Sequence, residues 1–289
     1  MTNDSTAGVV LVGVDDSQQA RSAADWAAAE AERHGWDLKL LHVVDAGALR
    51  LLAASGVPEA ADQAVQEADV MLHDAVHRLA QQHPNMLVKA AVVRGSPAPA
   101  ILDAAEDAAM VVLGTRGHGG FAGLLLGSVS RRVAAHATRP VVVVRSPVGG
   151  PVQGPIVVGV RDERDTEAVR FALDEADVHN IPVRLIHAWT PVVHPGVLAP
   201  QLDMTEEQRL HAQLLNHATR PIADYPGVQV DTEVIVGSAA RTLVDASSAA
   251  GLLVVPRHPP AERLGLRLGS VVHAALHHAH CPVAVLPIH

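Results

Sequence analysis

Aromatic residues are scarce in this sequence: three Trp, one Tyr and two Phe make up 2% of 289 residues. With a hydrophobic fraction of 48%, the core must be built from Val, Leu and Ala. That mixture suits buried parallel strands covered by alanine-rich helices and disfavours an all-β sandwich. A single cysteine, Cys281, excludes an intrachain disulfide. There is no run of Lys and Arg, and the formal net charge is -9, so clustered positive charge for displacing counterions from a phosphate backbone is missing and no nucleic-acid partner is expected. No apolar run approaches the ~20 residues needed to span a bilayer, so no membrane span is expected. The opening MTNDSTAGVV lacks the charged and apolar regions of a secretory signal, which makes a reducing cytoplasm the expected compartment.

Apolar runs and helical patterns alternate along the chain. Gly8 to Val14 is a continuous apolar run closed by Asp15-Asp16-Ser17, which reads as a buried strand followed by turn and cap chemistry. Ala20, Ala23, Ala24, Ala27, Ala28 and Ala31 then recur at helical spacing, a small-residue face that lets a helix lie close to a sheet, and His34-Gly35 ends it. Leu38 to Val44 is a second strand, about Pro58 to Gln82 a helix, and Leu87 to Val93 a third strand. Ser96-Pro97 offers an N-cap and a first-turn proline for a helix to about Asp107, followed by a strand Met110 to Leu113, a helix near Ser128 to Ala137 and a strand Val141 to Val144. This alternation predicts a doubly wound parallel sheet whose ligands bind beyond the carboxyl ends of the strands.

The order then repeats. VLVGVDD matches IVVGVRD, LLHVV matches LIHAW, VVRGSPA matches VIVGSAA, and LLLGSVS matches LRLGSVV. Gly127 and Gly269, Ser128 and Ser270, and Pro140 and Pro282 share one offset of 142 residues, so the chain is a duplication. The breaker-rich stretch from Ser146 to Pro155 reads as the connection. The expected organisation is two tandem five-stranded α/β domains, 1–147 and 155–289, joined by a linker 148–154.

Chemistry concentrates after the fourth strand. Gly114-Thr115-Arg116-Gly117, nine further residues, and Gly127-Ser128 place a glycine loop beside the start of a helix. Glycines let the backbone approach an anion, and the helix start adds unpaired N–H donors and the positive end of its dipole. Ser128 and Ser130 could add hydroxyl bonds. Asp15 is open to a second reading as a plain turn residue.

This spacing, with Asp15 closing the first strand, resembles the universal stress protein family over nearly the whole chain, in its tandem, ATP-binding, mycobacterial type. The resemblance implies a Rossmann-like fold and a role in stress or growth regulation. It also implies ATP, with Mg²⁺ as an option, contacted by Asp15 and the backbone near Gly13, with Val43 bordering the adenine. Gly114, Arg116 and Gly117 would lie along the ribose and phosphates, and Gly127, Ser128, Val129 and Ser130 would hold the phosphate tail. It further implies a homodimer built through the apolar strands 141–144 and 283–286, together with an unidentified protein partner.

The second copy departs from the motif: Arg161 stands for Asp15, Pro256 for Gly114 and Pro259 for Gly117. Proline removes an N–H donor and arginine cannot accept from a hydroxyl, so ATP is expected to bind weakly or not at all there. A weaker second site would use Gly159, Gly269, Ser270 and Val271, and Arg257, Arg263 and Arg267 leave room for another anion. His273, His277 and His280 fall on one helix face, a spacing that metals can use, although no acidic or thiol ligand accompanies them. No P-loop lysine follows the glycines and Ser128 has no evident catalytic partner, so efficient hydrolysis is not expected. A slow ATPase and a nucleotide-free interaction module remain as alternatives.

Overall fold

A computed structural model describes residues 8–54, 59–117, 125–145, 154–191, 204–259 and 268–288. The chain divides into two compact units, Met1–Pro151 and Val152–His289. The connecting residues 148–153 lie outside the described residues.

Unit 1 opens with β1 (Val9–Gly13), α1 (Gln18–His34) and β2 (Asp37–Asp45). All the alanines of the small-residue face of α1 are buried. Ser17 caps the helix by accepting from the N–H of Ala20, and Gly35 ends it in the left-handed region at φ 66°, where a missing Cβ costs least. Next come α2 (Ala46–Ala54), α3 (Glu59–Gln82) and β3 (Val88–Gly95), then α4 (Pro97–Ala104), β4 (Met110–Gly114), α5 (Ser128–His136) and β5 (Val141–Val144). The strands lie in the order β3-β2-β1-β4-β5, and all neighbours are parallel. The interior strand β4 and strand β5 are buried along their whole length, as continuous apolar runs require.

Unit 2 repeats the plan with β6 (Ile156–Gly159), α6 (Thr166–His179), β7 (Val183–Trp189), α7 (Met204–Ala218), β8 (Val230–Val236), α8 (Ala239–Ala246), β9 (Leu252–Arg257), α9 (Ser270–His278) and β10 (Val283–Pro287). Its order is β8-β7-β6-β9-β10, again parallel throughout. Within each unit the element order therefore produces the five-stranded, doubly wound parallel arrangement that the sequence predicts.

Several local expectations need correcting. Helix α2 was not anticipated; the Asp45 carboxylate caps it by accepting from the N–H of Ala48 at 2.9 Å. Ser96 sits at the N-cap of α4 with extended backbone but makes no capping bond, and the helix stops at Ala104, short of Asp107. His280 lies beyond the end of α9, so it does not share a helix face with His273 and His277, whose rings approach to 4.3 Å between centroids.

Candidate nucleotide site

The strand order of unit 1 reverses between β1 and β4, where Gly13 pairs in register with Leu113. Neighbouring chains leave in opposite directions there, which opens a crevice past the strand ends. A cleft of about 420 Å³ occupies it. Every first-copy residue named from the motif lines this cleft: Gly13, Asp15, Val43, Gly114, Arg116, Gly117, Gly127, Ser128, Val129 and Ser130.

Asp15 serves two purposes. Its Oδ1 accepts from the backbone N–H of Ser17 at 3.1 Å and from the Ser17 hydroxyl, so the turn reading holds as far as it goes. Its Oδ2 faces the loop after β4, where a Cβ on Gly117 would collide with that oxygen. Gly117 thus leaves room for a carboxylate at the cleft wall. Gly114 is a glycine for a different reason, since an added Cβ would lie 2.8 Å from the carbonyl carbon and oxygen of Gln19 in α1. Neither glycine adopts a positive φ, so space and not backbone conformation selects them.

The two halves of the motif are stitched together although residues 118–124 between them lie outside the described residues. Gly127 donates its N–H to the Thr115 carbonyl at 2.7 Å, and Ser130 donates its hydroxyl to the Gly114 carbonyl at 2.7 Å. The second bond gives Ser130 a structural part as well. The side chain is buried and its proton points at the backbone, so it positions α5 against β4. At the N-cap of α5, Gly127 has no side chain to satisfy the first N–H groups, which leaves donors and the positive helix end at the cleft, with the exposed Ser128 beside them.

His42 also lines the cleft, and its Nδ1 donates to the Val14 carbonyl at 2.8 Å. His187 repeats this bond to Val160 at 2.9 Å in unit 2. The shared His of LLHVV and LIHAW was the sequence signal for it.

Unit 2 has its own cleft of about 500 Å³ at the equivalent place, lined by Gly159, Gly269, Ser270 and Val271 as expected and also by Arg161, Pro256 and Pro259. The substitutions change the chemistry of the wall but leave the cavity open. Arg263 and Arg267 lie outside the described residues. His187 is held neutral-favouring, its pKa lowered chiefly by burial and also by the neighbouring His211, whose Nδ1 lies 2.7 Å from His187 Nε2.

Fold and cleft together define a tandem α/β protein with a crevice at the switch point of each unit. The universal stress protein family model matches residues 7–145 and 154–287, and the chain belongs to that family. Universal stress protein Rv2005c of Mycobacterium tuberculosis is 33% identical over 289 residues, covering 96% of each chain. Universal stress protein Rv2623 of the same organism is 32% identical over 96% of this chain and 95% of its own. Among solved structures, a universal stress protein from Archaeoglobus fulgidus superposes with a TM-score of 0.73 at 16% identity, covering 97% of this chain and 96% of its own, a likeness of fold. Among the described residues no helix is long and apolar enough to cross a membrane.

Proposed function

We propose that this chain is an ATP-binding regulator of stress or growth, acting in the cytoplasm, with the nucleotide held in the unit 1 cleft. The observation that supports this reading is the convergence of every motif residue on one cleft that carries a carboxylate at one wall and an uncapped helix start at another. In this reading Asp15 accepts from a ribose hydroxyl, Val43 and the backbone at Gly13 border the adenine, and Gly114, Arg116 and Gly117 flank the ribose and phosphates. The first N–H groups of α5 with Ser128 take the phosphate tail, and Ser130 positions that helix. Gly117 supports the fit, because the space its missing Cβ leaves is the space the Asp15 carboxylate uses. Mg²⁺ would ride mainly on the phosphates, with Asp15 as one protein oxygen.

The role we assign is binding, not turnover: occupancy shifts the protein between conformations through differential affinity, and a protein partner reads the result. A homodimer is part of the proposal and is read by sedimentation equilibrium. The test of the site is a calorimetric titration of the full chain with ATP, beside Asp15→Ala. Loss of a hydrogen bond to a charged group is worth about 1.5–3 kcal/mol, so the variant should bind at least about tenfold more weakly. Absence of ATP binding by the unmodified chain would sink the proposal in favour of a nucleotide-free interaction module.

A further inference from the structure

Unit 2 departs from unit 1 at the position that would read the ribose, and its cavity is intact. Arg161 follows β6 where Asp15 follows β1, and it lines the cleft. Its side chain is 66% exposed, and its Nε lies 3.8 Å from Asp162 Oδ2. That carboxylate is already engaged by the fork of Arg164 at 2.9 and 2.7 Å, bonds that hold the Asp162 carboxyl down at about 2. Arg164 thus holds that carboxylate more closely than Arg161 does, and Arg161 stands at the cavity wall with its side chain open.

A second basic side chain reaches the same cavity from the end of β9. His258 lines it, with Nε2 3.0 Å from Asp165 Oδ1, both ring nitrogens buried and without an aligned hydrogen bond. Asp165 is 0% exposed, and its Oδ2 accepts the backbone N–H of Arg161 at 2.6 Å and of Asp162 at 3.3 Å. One buried carboxylate thus contacts both residues, and since the ring nitrogens of His258 are themselves buried, Arg161 is the basic side chain open to the ligand space. Across the cleft α9 begins at Gly269-Ser270 with no capping side chain. Two elements that favour an anion, Arg161 and the start of α9, therefore line the cavity, and neither accepts a hydrogen bond from a free ribose diol as Asp15 could.

In dinucleotide-binding sheets an acidic residue reads free ribose hydroxyls, whereas an arginine near that place accommodates a phosphate on them. We infer that unit 2 takes a nucleoside 5′-phosphate whose ribose bears a second phosphate on its 2′ or 3′ hydroxyl, with Arg161 on the ribose phosphate and the start of α9 on the 5′-phosphate. This rests on the reading of unit 1 as a nucleotide cleft, because the equivalence of Asp15 and Arg161 assigns the ribose position.

The test titrates the full chain with adenosine 3′,5′-bisphosphate, its 2′,5′ isomer, AMP and inorganic phosphate. One bisphosphate should bind at least about tenfold more tightly than AMP or phosphate, and Arg161→Asp should remove that preference with a loss of roughly 10- to 100-fold. Arg161→Lys keeps a charge without the fork and should retain part of the preference. Both variants keep the backbone N–H that Asp165 holds, and circular dichroism checks that they fold. Equal affinity for AMP and the bisphosphates, or a preference indifferent to Arg161, overturns the inference. ATP binding that depends on Asp15, with no bisphosphate preference, removes this inference alone. An Arg161-dependent preference in a chain that does not bind ATP sustains it and removes the reading of unit 1.

Discussion

Replacing Gly117 with Ala separates ligand recognition from folding in unit 1. The new Cβ would collide with Asp15 Oδ2, while Oδ1 stays bonded to Ser17. Rotation of the carboxylate away from the loop relieves the collision and takes Oδ2 out of the cleft. One hydrogen bond to a charged group is worth about 1.5–3 kcal/mol, so ATP affinity should fall roughly 10- to 100-fold. Gly117 is exposed and has no positive φ, so stability should stay within about 0.5 kcal/mol. Gly114→Ala makes the contrast: its Cβ would meet the α1 backbone 2.8 Å away, which cannot swing aside, and overpacking should cost about 1–3 kcal/mol. Calorimetry with ATP and thermal unfolding by circular dichroism read the two quantities. A Gly117→Ala chain that binds ATP like the unmodified one would refute the placement of Asp15 at the ligand.

Further expectations follow from the same contacts. Ser130→Ala leaves the buried Gly114 carbonyl without its donor and should cost about 1–3 kcal/mol in denaturant unfolding, whereas Ser128→Ala should spare stability and weaken ATP; equal stability losses would contradict the division of roles. Asp165→Ala strips a fully buried carboxylate from two N–H groups and from His258, so a loss of about 3–5 kcal/mol is expected, and one under about 1 kcal/mol would show that Asp165 does not anchor the second cleft. The lowered pKa of His187 means that, as pH falls through 6.5, the unfolded chain gains a proton that the native one refuses. Stability is therefore whole above that pH and declines below it until the native pKa is passed. His187→Gln should flatten this part of the pH–stability curve, and an unchanged slope would assign it to other groups.

The sequence made some of this legible because the decisive contacts are local or periodic. The alanine face of α1, the strand alternation and the glycine spacing all follow from rules that act within a few residues. The bond from Ser130 to the Gly114 carbonyl was not legible, because the two are brought together only by packing of α5 on β4. Helix α2 was hidden because Gly47 weakens the helical pattern directly after the Asp45 cap. Asp165 and His258 could not be paired from sequence, since they meet only once β6 and β9 lie side by side. Pro256 and Pro259 led to the expectation of weak or absent ATP binding in unit 2, and that a cavity persists there was not legible, because it depends on where the strands end and reverse.

The central claim is that one cleft of the two reads ATP. Saturation of the purified chain with ATP, removal of free nucleotide, denaturation and chromatographic counting of what is released test it directly. The account predicts one ATP per chain, lost in Asp15→Ala. Two per chain, or none, would contradict it.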